Sequence, residues 1–309
     1  MKIVFMGTPE FAVPILQALI DHYEVVGVVS QPDKKVGRHQ EEVFTPIKKL
    51  ALEHNIPVFQ PEKIRLDYQD ILDLSPDIII TCAYGQIIPK AILDFPTLGC
   101  INVHASLLPK LRGGAPIHKA LIDGYDKTGI TIMYMDVKMD NGDIISQKET
   151  PILDSDNLES LQERLSLMGR DLLLETLPSI LKGENSRIKQ NEEEVTFAYN
   201  IKREEEHIDF SKTSREIFNL IRGLSPIPSA NAILDGAEMK ILDSICFDKK
   251  YPNSTCGEIV DIEKEGIVVS TGDGSLILTK IKPFGKKEMT ATSYVNGSSK
   301  SHLIGKVFQ

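Results

Sequence analysis

An amide and an imidazole stand two residues apart in Asn102-Val103-His104, and a carboxylate opens the turn-forming run Asp140-Asn141-Gly142. A side-chain amide can stabilise an oxyanion. A histidine moves a proton near neutral pH. A carboxylate can orient that imidazole or accept a proton itself. In an extended segment, positions two apart project to the same side, so Asn102 and His104 can face one site. The set suits direct transfer of a carbonyl group to an amine, with no covalent enzyme intermediate. No GxSxG motif is present, and no cysteine carries a nucleophile signature. From these residues alone two plain readings stay open. His104 can be a satisfied core histidine, and Asp140 can simply begin an Asx turn.

The elements that must position these groups follow an α/β pattern. Lys2–Met6 reads as a buried strand ended by Gly7, with Thr8 as cap and Pro9 as first residue of a helix that Pro14 kinks. Glu24–Ser30 is the next strand, so the sheet is parallel with a right-handed crossover. The first turn lacks GxGxxG, which excludes a dinucleotide-binding reading. Pro76–Ala83 holds an apolar central strand leading into Tyr84-Gly85-Gln86-Ile87, and Gly99–Val103 carries the amide and histidine at its end. Ligands of open α/β sheets bind beyond such carboxyl ends. Leu107, Leu108 and Pro109 are expected to line a pocket, and Pro116–Ile122 to be helical. Thr128–Asp136 and Ile144–Ile152 pair around the Asp140 turn, and Asn157–Leu181 is an amphipathic helix.

Two domains and a connection emerge: 1–189 as a catalytic domain, 190–206 as a polar linker, and 207–309 as a β-rich domain. Ser211–Leu224 reads as a helix. A hairpin turning at Asp235-Gly236 and short strands at Gly257–Ile262, Gly266–Thr271 and Ser275–Ile281 suggest a small closed barrel.

With 309 residues the chain can bury two cores. No run of about 20 apolar residues exists, so no membrane span is expected, and a strand at the very start leaves no room for a signal peptide. The four cysteines form no CxxC pair; neither a metal site nor a disulfide framework is expected, and a reducing cytoplasm fits. The net charge of −9 speaks weakly against nucleic acid, but it is uneven. Residues 209–309 hold 13 Lys+Arg against 12 Asp+Glu, leaving the excess of acid to the first 208. A nucleic-acid surface must therefore be a local patch.

The combination of Asn102-x-His104, Ser106-Leu-Leu-Pro-Lys-Leu-Arg-Gly113 and Asp140-x-Gly142-Asp143 resembles the formyltransferase family that uses 10-formyltetrahydrofolate. Phe5–Ala12, Gln31-Pro-Asp33, Ala83–Pro89, Thr271-Gly-Asp-Gly274 and Gly285-Lys-Lys-x-Met289 extend the likeness along the chain, toward the branch that acts on tRNA. The resemblance implies a Rossmann-like, open, mostly parallel sheet followed by a small OB-like β-barrel. It implies catalysis by Asn102, His104 and Asp140. It places the formyl donor around Ser106, Leu107, Leu108 and Pro109, with its pterin end near Tyr84, Gly85, Gln86 and Ile87, and requires no metal. The acceptor it implies is the free α-amine of methionine on initiator tRNA, with no membrane partner and a monomeric enzyme in the cytoplasm.

The resemblance also gives meaning to the long connection from Gln31 to Phe44. In the tRNA-acting branch this loop approaches the acceptor stem, and Arg38 resembles the key arginine there. His39-Gln-Glu-Glu42 departs from the basic pattern, so Lys34, Lys35 and the barrel lysines Lys286 and Lys287 are further candidates for phosphate contact. Arg112 is read either as serving the folate tail or tRNA end, or as an ordinary surface arginine. Rival readings are a formyltransferase for an amino-sugar nucleotide and a non-catalytic RNA-binding protein.

Overall fold

The computed structural model describes residues 1–36, 40–247, 249–297 and 300–309, and of Val36, Lys300 and Ser301 the backbone alone. The chain divides into two compact units. The first comprises Met1–Pro116, Lys127–Pro151 and Gln162–Tyr199, and the second Ile117–Asp126, Ile152–Leu161 and Asn200–Gln309.

In chain order, β1 (Lys2–Gly7), α1 (Val13–His22), β2 (Glu24–Val29), β3 (Lys34–Val36), β4 (Glu41–Val43), α2 (Pro46–Glu53) and β5 (Val58–Phe59) come first. Then follow α3 (Gln69–Asp73), β6 (Ile78–Cys82), α4 (Lys90–Leu93), β7 (Cys100–His104), α5 (Pro116–Ile122), β8 (Lys127–Tyr134), β9 (Ile144–Pro151) and α6 (Leu158–Lys182). The main sheet has the order β5-β2-β1-β6-β7-β8-β9, parallel from β5 to β7 and antiparallel beyond. Continuous apolar runs in β1 and β6 fit a sheet covered on both faces. Ile3, Val4, Phe5, Met6, Ile78, Ile79 and Ile80 are all fully buried. Val4, Met6 and Ile79 pack with Ile64, Ile71 and Ile92 in one apolar cluster.

The start of α1 differs from the sequence expectation. A single 3-10 turn over Glu10–Ala12 precedes it, and the Thr8 hydroxyl is spent elsewhere, donating to the Tyr84 carbonyl at 3.0 Å. Pro14 lies in the first turn of α1. There its missing N–H would have had no partner anyway, so it does not kink the helix. Thr45, by contrast, caps α2 by accepting from the Lys48 backbone N–H at 3.2 Å.

Within the Gln31–Phe44 connection, β3 and β4 pair as an antiparallel ribbon, Lys34 with Val43 and Lys35 with Glu42. Its base is tied down by Lys48, whose ammonium bonds the Asp33 carboxylate and the Gln60 side-chain oxygen. Gln60 in turn donates to Asp33 and to the Gln31 carbonyl. Burial pushes the Asp33 carboxyl up, but these bonds and the Lys48 charge outweigh it and hold it below the usual carboxylate range.

In the second unit, α7 (Ser214–Leu224) starts at a capping box of Thr213 and Glu216. It is followed by β10 (Ala230–Leu234), β11 (Ala237–Phe247), β12 (Ile259–Ile262), β13 (Ile267–Ser270), β14 (Ser275–Pro283), β15 (Met289–Thr290), α8 (Ala291–Gly297) and α9 (Lys300–Leu303). The ladder runs β10-β11-β14-β13-β12, with β15 on β14. Asp235 and Gly236 both have positive φ, as a two-residue hairpin turn of the favoured twist requires. The last residues close the ring. Phe308 donates to Gly257 at 2.8 Å, Ile259 donates to Lys306 at 2.8 Å, and Ile233 and Gln309 exchange both backbone bonds. Inside, Ile217, Ile221 and Leu224 of α7 join Ile241, Ile267, Leu276 and Phe308 in one core.

Candidate active site

The site is assembled at the carboxyl ends of β6 and β7. Thr81 of β6 lies in register with Asn102 of β7. The buried Thr81 hydroxyl reaches the Asn102 side-chain oxygen at 2.8 Å, its shortest acceptor. With its oxygen engaged, Asn102 has its Nδ2 left to donate, and among the described residues nothing accepts from it.

His104 is 5% exposed. Its Nε2 lies 3.1 Å from the Leu111 carbonyl. A carbonyl only accepts, so Nε2 carries a hydrogen. Nδ1 is then the ring atom turned to the site, 3.7 Å from the Asp140 carboxylate. That is ion-pair range, yet longer than a hydrogen bond, so the two groups face a shared space.

Asp140 has a φ of 51°, the left-handed region that a non-glycine residue occupies only when its surroundings insist. Three bonds insist. Its Oδ2 accepts from the Gly113 N–H at 2.8 Å, and Gln190 donates to the carbonyls of Asp140 and Gly142 at 2.8 and 2.9 Å. Gly142 itself is required, since a Cβ there would fall 1.9 Å from the Tyr134 carbonyl oxygen.

Arg112 overturns the surface-arginine reading. It is 4% exposed, and each of its three nitrogens is engaged internally. Nε donates to Gln190, Nη1 to Asn141 and Nη2 to Glu192, each at 2.9–3.0 Å. One guanidinium thus joins three segments around Asp140. The stretch read as a linker is correspondingly ordered in its first half. Arg112 donates to the Thr196 carbonyl, Ala198 donates to that of Arg112, and Ala115 to that of Ala198.

The loop after β7 is pinned as well. Ser106 is fully buried, its hydroxyl donating to Lys110 and its carbonyl accepting from Thr131, both at 2.6 Å. Leu108 does not line open space. It packs with Met133 and Ile144, because Gln147 and Thr131 hold its backbone against β8 and β9. Leu107 and Pro109 are half-buried beside it.

The loop after β6 also differs from its reading as a direct ligand shelf. The Tyr84 side chain enters the sheet core, where burial pushes its phenol to about 12. Gln86 is a structural post, accepting from the Ile64 N–H and donating to the Pro61 carbonyl. Gly85, with positive φ, and Ile87, 84% exposed, are the members open to a ligand.

Of the cationic candidates, Lys34, Lys35, Lys286 and Lys287 are exposed, and among the described residues none has an ion pair. Lys286 lies 6.0 Å over the Tyr294 ring. Arg38 lies outside the described residues. Cys82 and Cys100 are buried, and burial pushes both thiols up, that of Cys100 to about 12, so neither offers a thiolate. Among the described residues no cluster of three or more His, Cys, Asp or Glu could hold a metal, and no helix is long and apolar enough to cross a membrane.

An imidazole and a carboxylate therefore face one space, with an unpaired amide donor two residues along the same strand. Sequence reasoning missed Thr81, Gln190 and the clamping role of Arg112. Gln190 carried no local signal, since its partners lie some fifty residues away.

Residues 1–177 match the Formyl transferase family and residues 200–299 its C-terminal domain. A methionyl-tRNA formyltransferase of Bacillus subtilis (strain 168) is 52% identical over 304 residues, covering 96% of this chain and 95% of that protein. One from Macrococcus caseolyticus is 48% identical over 309 residues, 99% and 98% of the two chains. Among solved structures, the sugar 3N-formyl transferase WlaRD, studied with dTDP and 5-N-formyl-THF, matches with a TM-score of 0.66 at 23% identity, over 93% of this chain and 99% of that one. HypX from Aquifex aeolicus in complex with tetrahydrofolic acid matches at 0.65 and 15% identity, over 96% of this chain. The chain spans 47% of the length of HypX. At these identities the two structures speak for the fold alone.

Proposed function

The chain belongs to the formyl transferase family, and from that premise we propose that it moves the formyl group of 10-formyltetrahydrofolate to the free α-amine of methionine on initiator tRNA. The observation that carries the reading is the meeting of His104 Nδ1 and the Asp140 carboxylate across 3.7 Å, beside the unpaired Asn102 amide. Near full-length identity of about half to methionyl-tRNA formyltransferases supports tRNA as acceptor over an amino-sugar nucleotide.

Each residue then has a task. Asn102 Nδ2 and a protonated His104 Nδ1 receive the negative charge that grows on the formyl oxygen as the amine adds to the carbon. The Asp140 carboxylate, facing the ring across 3.7 Å, takes the proton that the amine sheds, directly or through water. When the folate nitrogen leaves, that proton returns to it. Thr81 fixes the amide of Asn102, and Leu111 fixes the ring of His104. The open backbone at Gly85, exposed Ile87 and half-buried Leu107 and Pro109 fit a flat heterocyclic donor with a polar edge.

The division into a catalytic part at 1–189, a connection at 190–206 and a tRNA-binding part at 207–309 belongs to the same proposal. Lys34 and Lys35 on the ribbon, together with Arg38, Lys286 and Lys287, contact the tRNA phosphates, and the enzyme acts as a monomer in the cytoplasm. The direct test is an assay with 10-formyltetrahydrofolate and either initiator or elongator methionyl-tRNA. Formylation of the initiator species is the expected result; formate release that needs no acceptor would refute it.

A further inference from the structure

We infer that Phe197 and Tyr199 form a stacking platform for the 3′-terminal base of the aminoacyl-tRNA, an inference that rests on the tRNA reading above. Residues 196–199 run as an extended segment along the loop Arg112–Ala115. Alternation turns Ala198 inward, where it is fully buried, and Phe197 and Tyr199 outward. The two rings are 49% and 62% exposed, lie within 5° of parallel, and have centroids 5.6 Å apart. Two stacked aromatic rings left facing solvent offer a flat apolar face to a flat partner.

The position says which partner. The rings sit on the strand-like segment bonded to Arg112 and Ala115, and Gly113 between them donates to Asp140. Only this one loop separates the platform from the catalytic carboxylate. The reacting amine is joined through its ester to the terminal ribose, so the terminal base lies within one nucleotide of His104 and Asp140. The formyl donor is assigned to the other half of the loop, Ser106–Pro109. The neighbouring run Glu192-Glu193-Glu194 disfavours a phosphate here but not an uncharged base. Base–aromatic stacking holds a strand end without reading its sequence.

The double variant Phe197→Leu with Tyr199→Leu should raise KM for methionyl-tRNA from about fivefold to about a hundredfold, with KM for the formyl donor unchanged. Phe197→Tyr should restore the tRNA KM, which a purely steric role of Ala198's neighbours would not explain. The chain has no tryptophan, so Phe197→Trp introduces a single tryptophan that can be excited apart from the tyrosines. Its emission should be quenched by tRNA with an intact 3′ end and not by tRNA lacking the terminal nucleotide. An unchanged tRNA KM in an enzyme whose parent formylates methionyl-tRNA overturns the platform alone, as does equal quenching by both tRNAs. A rise in donor KM instead assigns the rings to folate and overturns it too. A parent enzyme that formylates no tRNA removes the premise and the platform together.

Discussion

The surroundings of Asn102, His104 and Asp140 and the surfaces that carry the free lysines are built in opposite ways. Around the three site residues almost every polar atom is tied to something distant in sequence. Arg112 alone joins the 111–113 loop, the 140–142 turn and residues 190–192. Lys34, Lys35, Lys286 and Lys287 instead stand exposed without ion pairs among the described residues. Transition-state charge must be met by groups already in place, because reorganising them during reaction would forfeit most of the gain. Phosphate attraction acts over a Debye length and tolerates mobile side chains. Tight anchoring is concentrated around the residues proposed for catalysis, and exposure at the lysines proposed to meet phosphate.

The contrast can be broken at several points. The largest effect is expected at His104. His104→Ala should lower kcat for formylation roughly a hundredfold to ten-thousandfold with KM for tRNA little changed, as read by initial-rate kinetics. Next comes Arg112→Lys, which keeps the charge but cannot bond three acceptors in one plane. It should lower stability by about 2–4 kcal/mol in urea unfolding and lower kcat by about tenfold through the displaced Asp140 turn. A variant as active and stable as the parent would show that the clamp is ornamental. Thr81→Val removes the bond that orients the Asn102 amide, and kcat should fall about tenfold, the equivalent of one hydrogen bond. The smallest effect belongs to the exposed side. Lys286→Ala combined with Lys287→Ala should raise KM for tRNA by only about two- to tenfold, leave kcat alone, and flatten the dependence of KM on salt. A loss of kcat there would erase the distinction between the two regions.

How much of this could be read from the chain depended on the range of the determining interactions. Helix α5 was found residue for residue, because Pro116 marks its start and the apolar face ends with it. The Asp235-Gly236 turn was legible because few other pairs adopt two successive positive φ values. The parallel core followed from the strand–helix–strand start, and the unbroken apolar run of β6 marked its centre. Asn102, His104 and Asp140 were picked out by residue type and spacing, and the structure brings the last two within 3.7 Å of each other.

What escaped was decided at long range. Thr8 is a good cap by type, yet the Tyr84 carbonyl, 76 residues on, claims its hydroxyl. Leu108 looked like a pocket wall and is a wedge into Met133 and Ile144. Arg112 and Gln190 sit in a Gly-rich loop and an acidic, polar stretch, where composition points to solvent. Their burial exists only because residues 190–198 return to the 111–115 loop. The closure of the barrel by residues 305–309 was hidden in the same way, as a short tail whose partners lie at Gly257–Ile259 and Ile233.

The central claim is that Asp140, held in a left-handed turn opposite His104, serves the transfer of a formyl group to an aminoacyl amine. Single-turnover formylation of initiator methionyl-tRNA by the parent and by Asp140→Asn tests it most directly. The account predicts formylmethionyl-tRNA from the parent and a rate at least about a hundredfold lower from the variant, with tRNA binding retained. A variant that forms product at the parental rate would contradict it.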